Sequence, residues 1–354
     1  MIYNDTAKEP VFAGSKITDS AKNLIGNIDI GVGKVITILV FTYIILMIAY
    51  MLSESYRVSM TYNELDQYSA ALFIRPNYLF ENKRQELPLN KFRVASAFRP
   101  YMGTNQLLEY TSEKLLLKTI KSGVRAIYID VFNDTLGEDA YPVVSNGFEN
   151  GNWKLTLNTI TFDSVCRTLS KSVFTDGYVT NNRDPFFLMI NLKTNRNFKC
   201  LDRIQESIFK YLKPHLLALK FSYQQTKLSE TLMKELMGKF VIITSGGYEN
   251  SKLEELINYS WDKDDLNHIS YKSLAAEVEA RDAIKLNIDE VRTFNKGEGM
   301  TISIPEFDTF FTYNYNTQNF FSSNCQFIFM NYQKVDKYME TYFDAFKNSS
   351  FIEM

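Results

Sequence analysis

Residues 35–52 read VITILVFTYIILMIAYML, without one charge. As a helix rising ~1.5 Å per residue, this run covers roughly 27 Å, close to a hydrocarbon core of ~30 Å. Lys34 and Arg57 bracket it. A cleaved signal peptide fits poorly, because the run starts late, is long and lacks a small-x-small exit. A buried core helix would keep a polar face, and none is visible. The run predicts one membrane-spanning helix within residues 31–52. Lys16, Lys22 and Lys34 precede it and Arg57 is the nearby basic residue after it, so the positive-inside rule points to a cytoplasmic N-terminus. Residues 1–30 show no sustained periodicity and read as a polar, poorly ordered tail. Residues 53–91 read as a connector with a short helix near 62–73 and proline markers at Pro76 and Pro88.

From Phe92 onward, short apolar strands alternate with helical stretches. Strands are predicted at 93–97, 126–131, 142–145, 186–192, 239–244, 267–271, 301–304 and 325–330, with helices at 112–122, 162–173 and 201–219, the last broken near Pro214. Strands separated by helices imply a parallel sheet, and about eight of them suit a closed β/α barrel. An open doubly wound sheet would more often carry a Gly-rich phosphate turn after its first strand, and none is present. The net charge of −2 gives no pull toward nucleic acid. Cys166, Cys200 and Cys325 form no metal spacing or disulfide framework.

Three stretches then stand out in order. Ala95-Ser96-Ala97-Phe98-Arg99-Pro100-Tyr101-Met102, continuing to Gln106-Leu107, resembles A-S-S-H-N-T-Y-L-x-x-x-Q-L. Gly123-Val124-Arg125-Ala126-Ile127-Tyr128-Ile129-Asp130 resembles G-x-R-x-x-E-L-D. Asn314-Tyr315, continuing through Cys325-Gln326 to Asn331-Tyr332-Gln333, resembles N-Y-x-P-x-x-x-W-x-x-G-C-Q-x-x-x-x-N-x-Q. These motifs are similar to those of the catalytic barrel of phosphoinositide-specific phospholipase C. The resemblance implies a TIM-like (β/α)8 barrel of the phospholipase C-like phosphodiesterase type, with an X-like half over 92–246 and a Y-like half over 247–354.

What the resemblance implies about chemistry is mostly loss. In that family the inositol 2-hydroxyl attacks phosphorus, two histidines handle charge and proton, and calcium stabilises the transition state. The histidine positions fall on Phe98 and Asn146. The calcium-ligand positions fall on Arg99, Tyr128, Asp130 and Asn191, of which only Asp130 is a carboxylate. The head-group positions fall on Thr244, Gly246, Ile302 and Ile304. His215 and His268, the two histidines present, lie outside the motifs and read as surface or capping residues. Calcium is therefore the family's metal but not one this ligand set would hold, and no other cofactor is implied. Arg99 is expected to stand in for the ion and pair with Asp130. The reading is a membrane-anchored, catalytically inactive barrel whose partner is a phosphoinositide or another protein. Two alternatives stay open: a phosphodiesterase using a rebuilt, metal-independent site of Asp130, Tyr128 and Arg99, and a structural membrane or envelope protein.

Overall fold

The computed structural model describes residues 14–69, 78–261, 275–279, 287–297, 299–306 and 311–354. The chain divides into two compact units, residues 1–56 and 57–354.

Helix α1 runs Gly14–Ser69. Its stretch Gly33–Asp66 is long and apolar enough to cross a membrane. The irregular tail and the short helix at 62–73 are corrected here. Residues 14–30 and 53–69 belong to the same helix, because no proline stands between Pro10 and Pro76 to remove a backbone donor. Residues 70–73 lie outside the described residues.

The second unit is built on eight parallel strands: β1 (Phe92–Phe98), β2 (Ala126–Asn133), β3 (Phe186–Lys193), β4 (Phe240–Ser245), β5 (Tyr259–Trp261), β6 (Ala275–Glu279), β7 (Met300–Ile304) and β8 (Phe327–Met330). Their order in the sheet is β6-β7-β8-β1-β2-β3-β4-β5. The end strands β5 and β6 also lie within reach of each other, so the sheet curls into a barrel. Helices α2 (Glu113–Lys121), α3 (Phe162–Ser172), α4 (Phe198–Leu212), α5 (Ile288–Lys296), α6 (Gln318–Ser322) and α7 (Lys337–Phe346) accompany it.

Period-two alternation explains the two cores. On β1, Phe92, Val94 and Phe98 point into the barrel with Tyr128, Phe187, Val241, Phe327 and Phe329. Ala95 and Ala97 point out toward Leu115, Leu116 and Ile120 of α2. α2 begins at Ser112, whose hydroxyl accepts from the Lys114 N–H at 3.2 Å, which satisfies an otherwise orphaned donor of the first turn. It ends before Gly123, whose φ of +92° suits glycine.

Several expectations move. Residues 201–219 are not one broken helix. α4 stops at Leu212, and Pro214 sits in a 3-10 turn, Lys213–His215. The expected strand at 267–271 lies outside the described residues. Residues Pro142–Val144 form a strand, but it pairs antiparallel with β2 outside the parallel run. β5 and β6 are two strands the apolar pattern did not mark. A ninth strand, β9 (Phe351–Glu353), pairs antiparallel with β1.

Candidate functional site

The polar focus of the barrel lies where β1, β2 and β3 end. Asp130 and Asn191 face each other in register across β2 and β3, so both side chains emerge on the same face. Arg99 follows β1 with φ +43°, an uncommon left-handed conformation for a residue with a Cβ. Its N–H is held by the Tyr128 carbonyl at 2.9 Å, and its own carbonyl accepts from the Met102 N–H at 2.9 Å.

The guanidinium lies against Asp130. Arg99 Nε and Nη2 sit 2.8 and 2.7 Å from Asp130 Oδ2. Asn191 Nδ2 donates to Asp130 Oδ1 at 2.6 Å. Lys193 Nζ lies 3.5 Å from Oδ2 and donates to the Gly147 carbonyl at 2.7 Å. Arg99 Nη1 reaches Gln106 Oε1 at 3.1 Å, and Gln106 Nε2 reaches Asn331 Oδ1 at 3.2 Å. Asn146 donates to the Gln106 carbonyl. The Tyr101 hydroxyl accepts from the Asp130 N–H at 3.2 Å and donates to the Ser145 carbonyl at 2.7 Å. Burial, then the nearby Asp130, pushes the Tyr101 phenol well above its ordinary range, with Arg99 opposing. Arg99, Asp130, Asn146 and Asn191 are all buried.

Beside this network lies an aromatic wall. Phe98 packs on Tyr128 at 5.1 Å between centroids, and Tyr128 packs on Trp261 and Phe329 at 5.6 Å each. Arg99 Cζ stands 4.5 Å over the Phe98 ring, a favourable cation–π placement. Ile302 and Ile304 join the same apolar interior. Thr244 ends β4 as a buried residue, and Gly246 follows in the loop. His215 is elsewhere: it stacks on Phe174 at 4.6 Å, and its Nδ1 lies 3.0 Å from the Gly238 carbonyl, before β4 begins. His268 lies outside the described residues.

Sequence reasoning missed Lys193. Alternation alone could have found it, because Asn191 and Lys193 share a strand face. The donor set does not fit calcium, which takes 6–8 mostly anionic oxygens. Both Asp130 oxygens already accept from nitrogen donors, and two of those donors are cations. Among the described residues no group of three His, Cys, Asp or Glu side chains could hold a metal. A cavity of about 530 Å³ opens to one side, lined by Asn133, Asn152, Thr194, Arg196 and Phe198, and it does not reach Phe98 or Arg99.

The eight-stranded barrel, with its polar cluster at the carboxyl ends of the strands, defines a protein of the phospholipase C-like phosphodiesterase fold. Residues 85–245 match the family model for the phosphatidylinositol-specific phospholipase C, X domain. The chain therefore carries a divergent phosphatidylinositol-specific phospholipase C barrel. The fold is similar to that of PLC21 from L. pealei (TM-score 0.59, 13% identity, 76% of this chain covered). It is equally similar to PLC21 from S. officinalis (TM-score 0.56, 15% identity, 76% covered). The match spans 37% of each of those longer chains. Comparison with curated protein sequences gave no match.

Proposed function

We infer that this protein is a membrane-tethered barrel that has given up phosphodiester hydrolysis and works by binding. The observation that carries this reading is the occupancy of Asp130. Its carboxylate is spent on Arg99, Asn191 and Lys193. A general base needs a free lone pair within reach of the proton it removes. At the two positions where acid–base groups would stand, Phe98 offers no proton and Asn146 offers an amide already bonded to backbone. Cation would also repel cation, because a guanidinium now lies where a metal would sit.

Tethering is supported by the apolar stretch in Gly33–Asp66. Phe98, Tyr128, Trp261 and Phe329 fill the barrel interior, which favours contacts through the outer surface over capture of a head group inside the barrel.

The test is direct. The full chain is incubated with phosphatidylinositol vesicles, with calcium and with chelator, and water-soluble inositol phosphate is measured. The expected release equals that of protein-free vesicles under both conditions. Turnover that rises with calcium would overturn the reading; turnover insensitive to chelator would instead establish a rebuilt, metal-independent site.

A further inference from the structure

The loops at the carboxyl ends of the strands carry a ring of exposed apolar side chains. Leu108 follows β1, Leu136 and Trp153 follow β2, Phe198 follows β3, and Phe311 follows β7. Their exposures are 56, 82, 67, 52 and 70%. Large apolar patches left in water usually mark an interaction surface.

These loops are tied into one surface. The Leu108 N–H donates to the Leu155 carbonyl at 2.8 Å, and the Leu157 N–H donates to the Glu109 carbonyl at 2.9 Å. The Asn195 N–H and side-chain amide bind Glu149 at 3.1 and 3.0 Å. Asn105 and Phe311 form a β-bridge.

The same surface receives the chain from the apolar run. Arg57 Nη1 donates to the Leu108 carbonyl at 3.0 Å and lies 3.7 Å from Glu109 Oε1. Leu52 is the last residue of that run. Five residues of chain reach at most about 18 Å even fully extended. A bilayer holding the run is therefore tethered within that distance of the ring, whatever the angle between the two units.

We propose that the ring Leu108–Leu136–Trp153–Phe198–Phe311 is a lipid-facing surface, seated in the head-group region of the membrane that α1 spans. The chemistry suits that site. Tryptophan and other aromatics favour the interface, and exposed Arg196 and Lys199 beside Phe198 suit anionic phosphates. The inference rests on α1 being a membrane span. It goes further by orienting the barrel: the carboxyl ends of the strands face lipid, and the opposite end faces water.

The chain contains its own reporter. It has two tryptophans, and Trp261 is 2% exposed within the barrel, so quenching by lipid reads Trp153. The full chain is reconstituted in phosphatidylcholine–phosphatidylserine vesicles, with and without brominated acyl chains. Tryptophan emission is expected to fall by about half in brominated vesicles, as for an interfacial side chain. The loss should vanish in Trp153→Phe and shrink in Leu136→Ser/Phe198→Ser. Emission unchanged by bromine and open to aqueous iodide, in chains that stay with vesicles through an alkaline wash, would overturn the lipid-facing ring and leave it to a protein partner. Chains stripped by the wash would instead bring down the membrane span, and the inference with it.

Discussion

At Asp130 one buried carboxylate is shared among a guanidinium, an ammonium and an amide, and this concentrates the cost of change in single residues. A buried ion pair gains little over apolar residues of the same shape, but removing one partner leaves the other charge uncompensated. Arg99→Met is expected to destabilise the barrel by about 3–5 kcal/mol, read as a lower denaturant midpoint with an unchanged slope. Adding Asp130→Asn should return part of that loss, because the stranded charge goes with it. A double variant as unstable as the sum of the two singles would show that Arg99 and Asp130 do not interact energetically. At this scale the sequence was informative where a motif framed a residue. Arg99, Asp130 and Asn146 could be located because their neighbours keep the family's order. Lys193 escaped, because it lies two residues past Asn191, outside any motif. The partnership of Gln106 with Arg99 and Asn331 spans 225 residues between Gln106 and Asn331, and no local pattern announces such a contact.

Elements show the same division between local signal and distant pairing. β1, β2, β3, β4 and β8 were legible because their alternation or continuous apolar runs follow from burial on both faces. β5 (YSW) and β6 (AAEVE) were not, since they are short and carry polar residues. α1 was divided into tail, span and connector because hydropathy changes along it, whereas helix formation depends on the backbone and on the absence of proline. β9 is the clearest case. Three residues at the chain's end gave no periodicity, yet Phe351 is fully buried at the foot of the barrel. It meets Phe92 and Phe187 at 6.4 and 6.5 Å between centroids. Ser350 fastens the strand, donating to the Gly123 carbonyl and accepting from Asn181 Nδ2 at 2.7 Å. Phe351→Ala should therefore cost about 3–5 kcal/mol, the usual range for an aromatic removed from a core. Phe351→Leu, which keeps more of the volume, should cost less than half of that. Equal stability of Phe351→Ala and the parent protein would mean β9 is not docked in solution.

For the whole molecule, two buried charge clusters sit at opposite ends of one barrel, and they make different predictions about acid. The cluster at the carboxyl ends of the strands holds Asp130 among cations. At the other end Arg125, just before β2, donates to the Val173 carbonyl at 3.1 Å and to Asn181 Oδ1 at 2.7 Å. Nearby Asp184 is buried, and burial pushes its carboxyl up to about 6, with Arg125 pulling the other way. Desolvation wins because the Asp184 carboxylate has one oxygen, Oδ1, without a hydrogen-bond partner. Since its folded value lies above its unfolded one, near 3.8, the fold binds the proton more tightly than the unfolded chain does. The resulting stabilisation is fully present below about pH 4 and is lost as pH rises through about 6. Its size is on the order of 2–3 kcal/mol. Other carboxylates titrate in the same window, so the test is a difference. Melting temperatures of the parent protein and of Asp184→Asn are measured from about pH 4 to 7. Relative to the variant, the parent should lose stability across that interval and then run parallel to it. Parallel curves from the start would mean that Asp184 carries its charge in the fold at ordinary cost, and that water reaches the foot of the barrel.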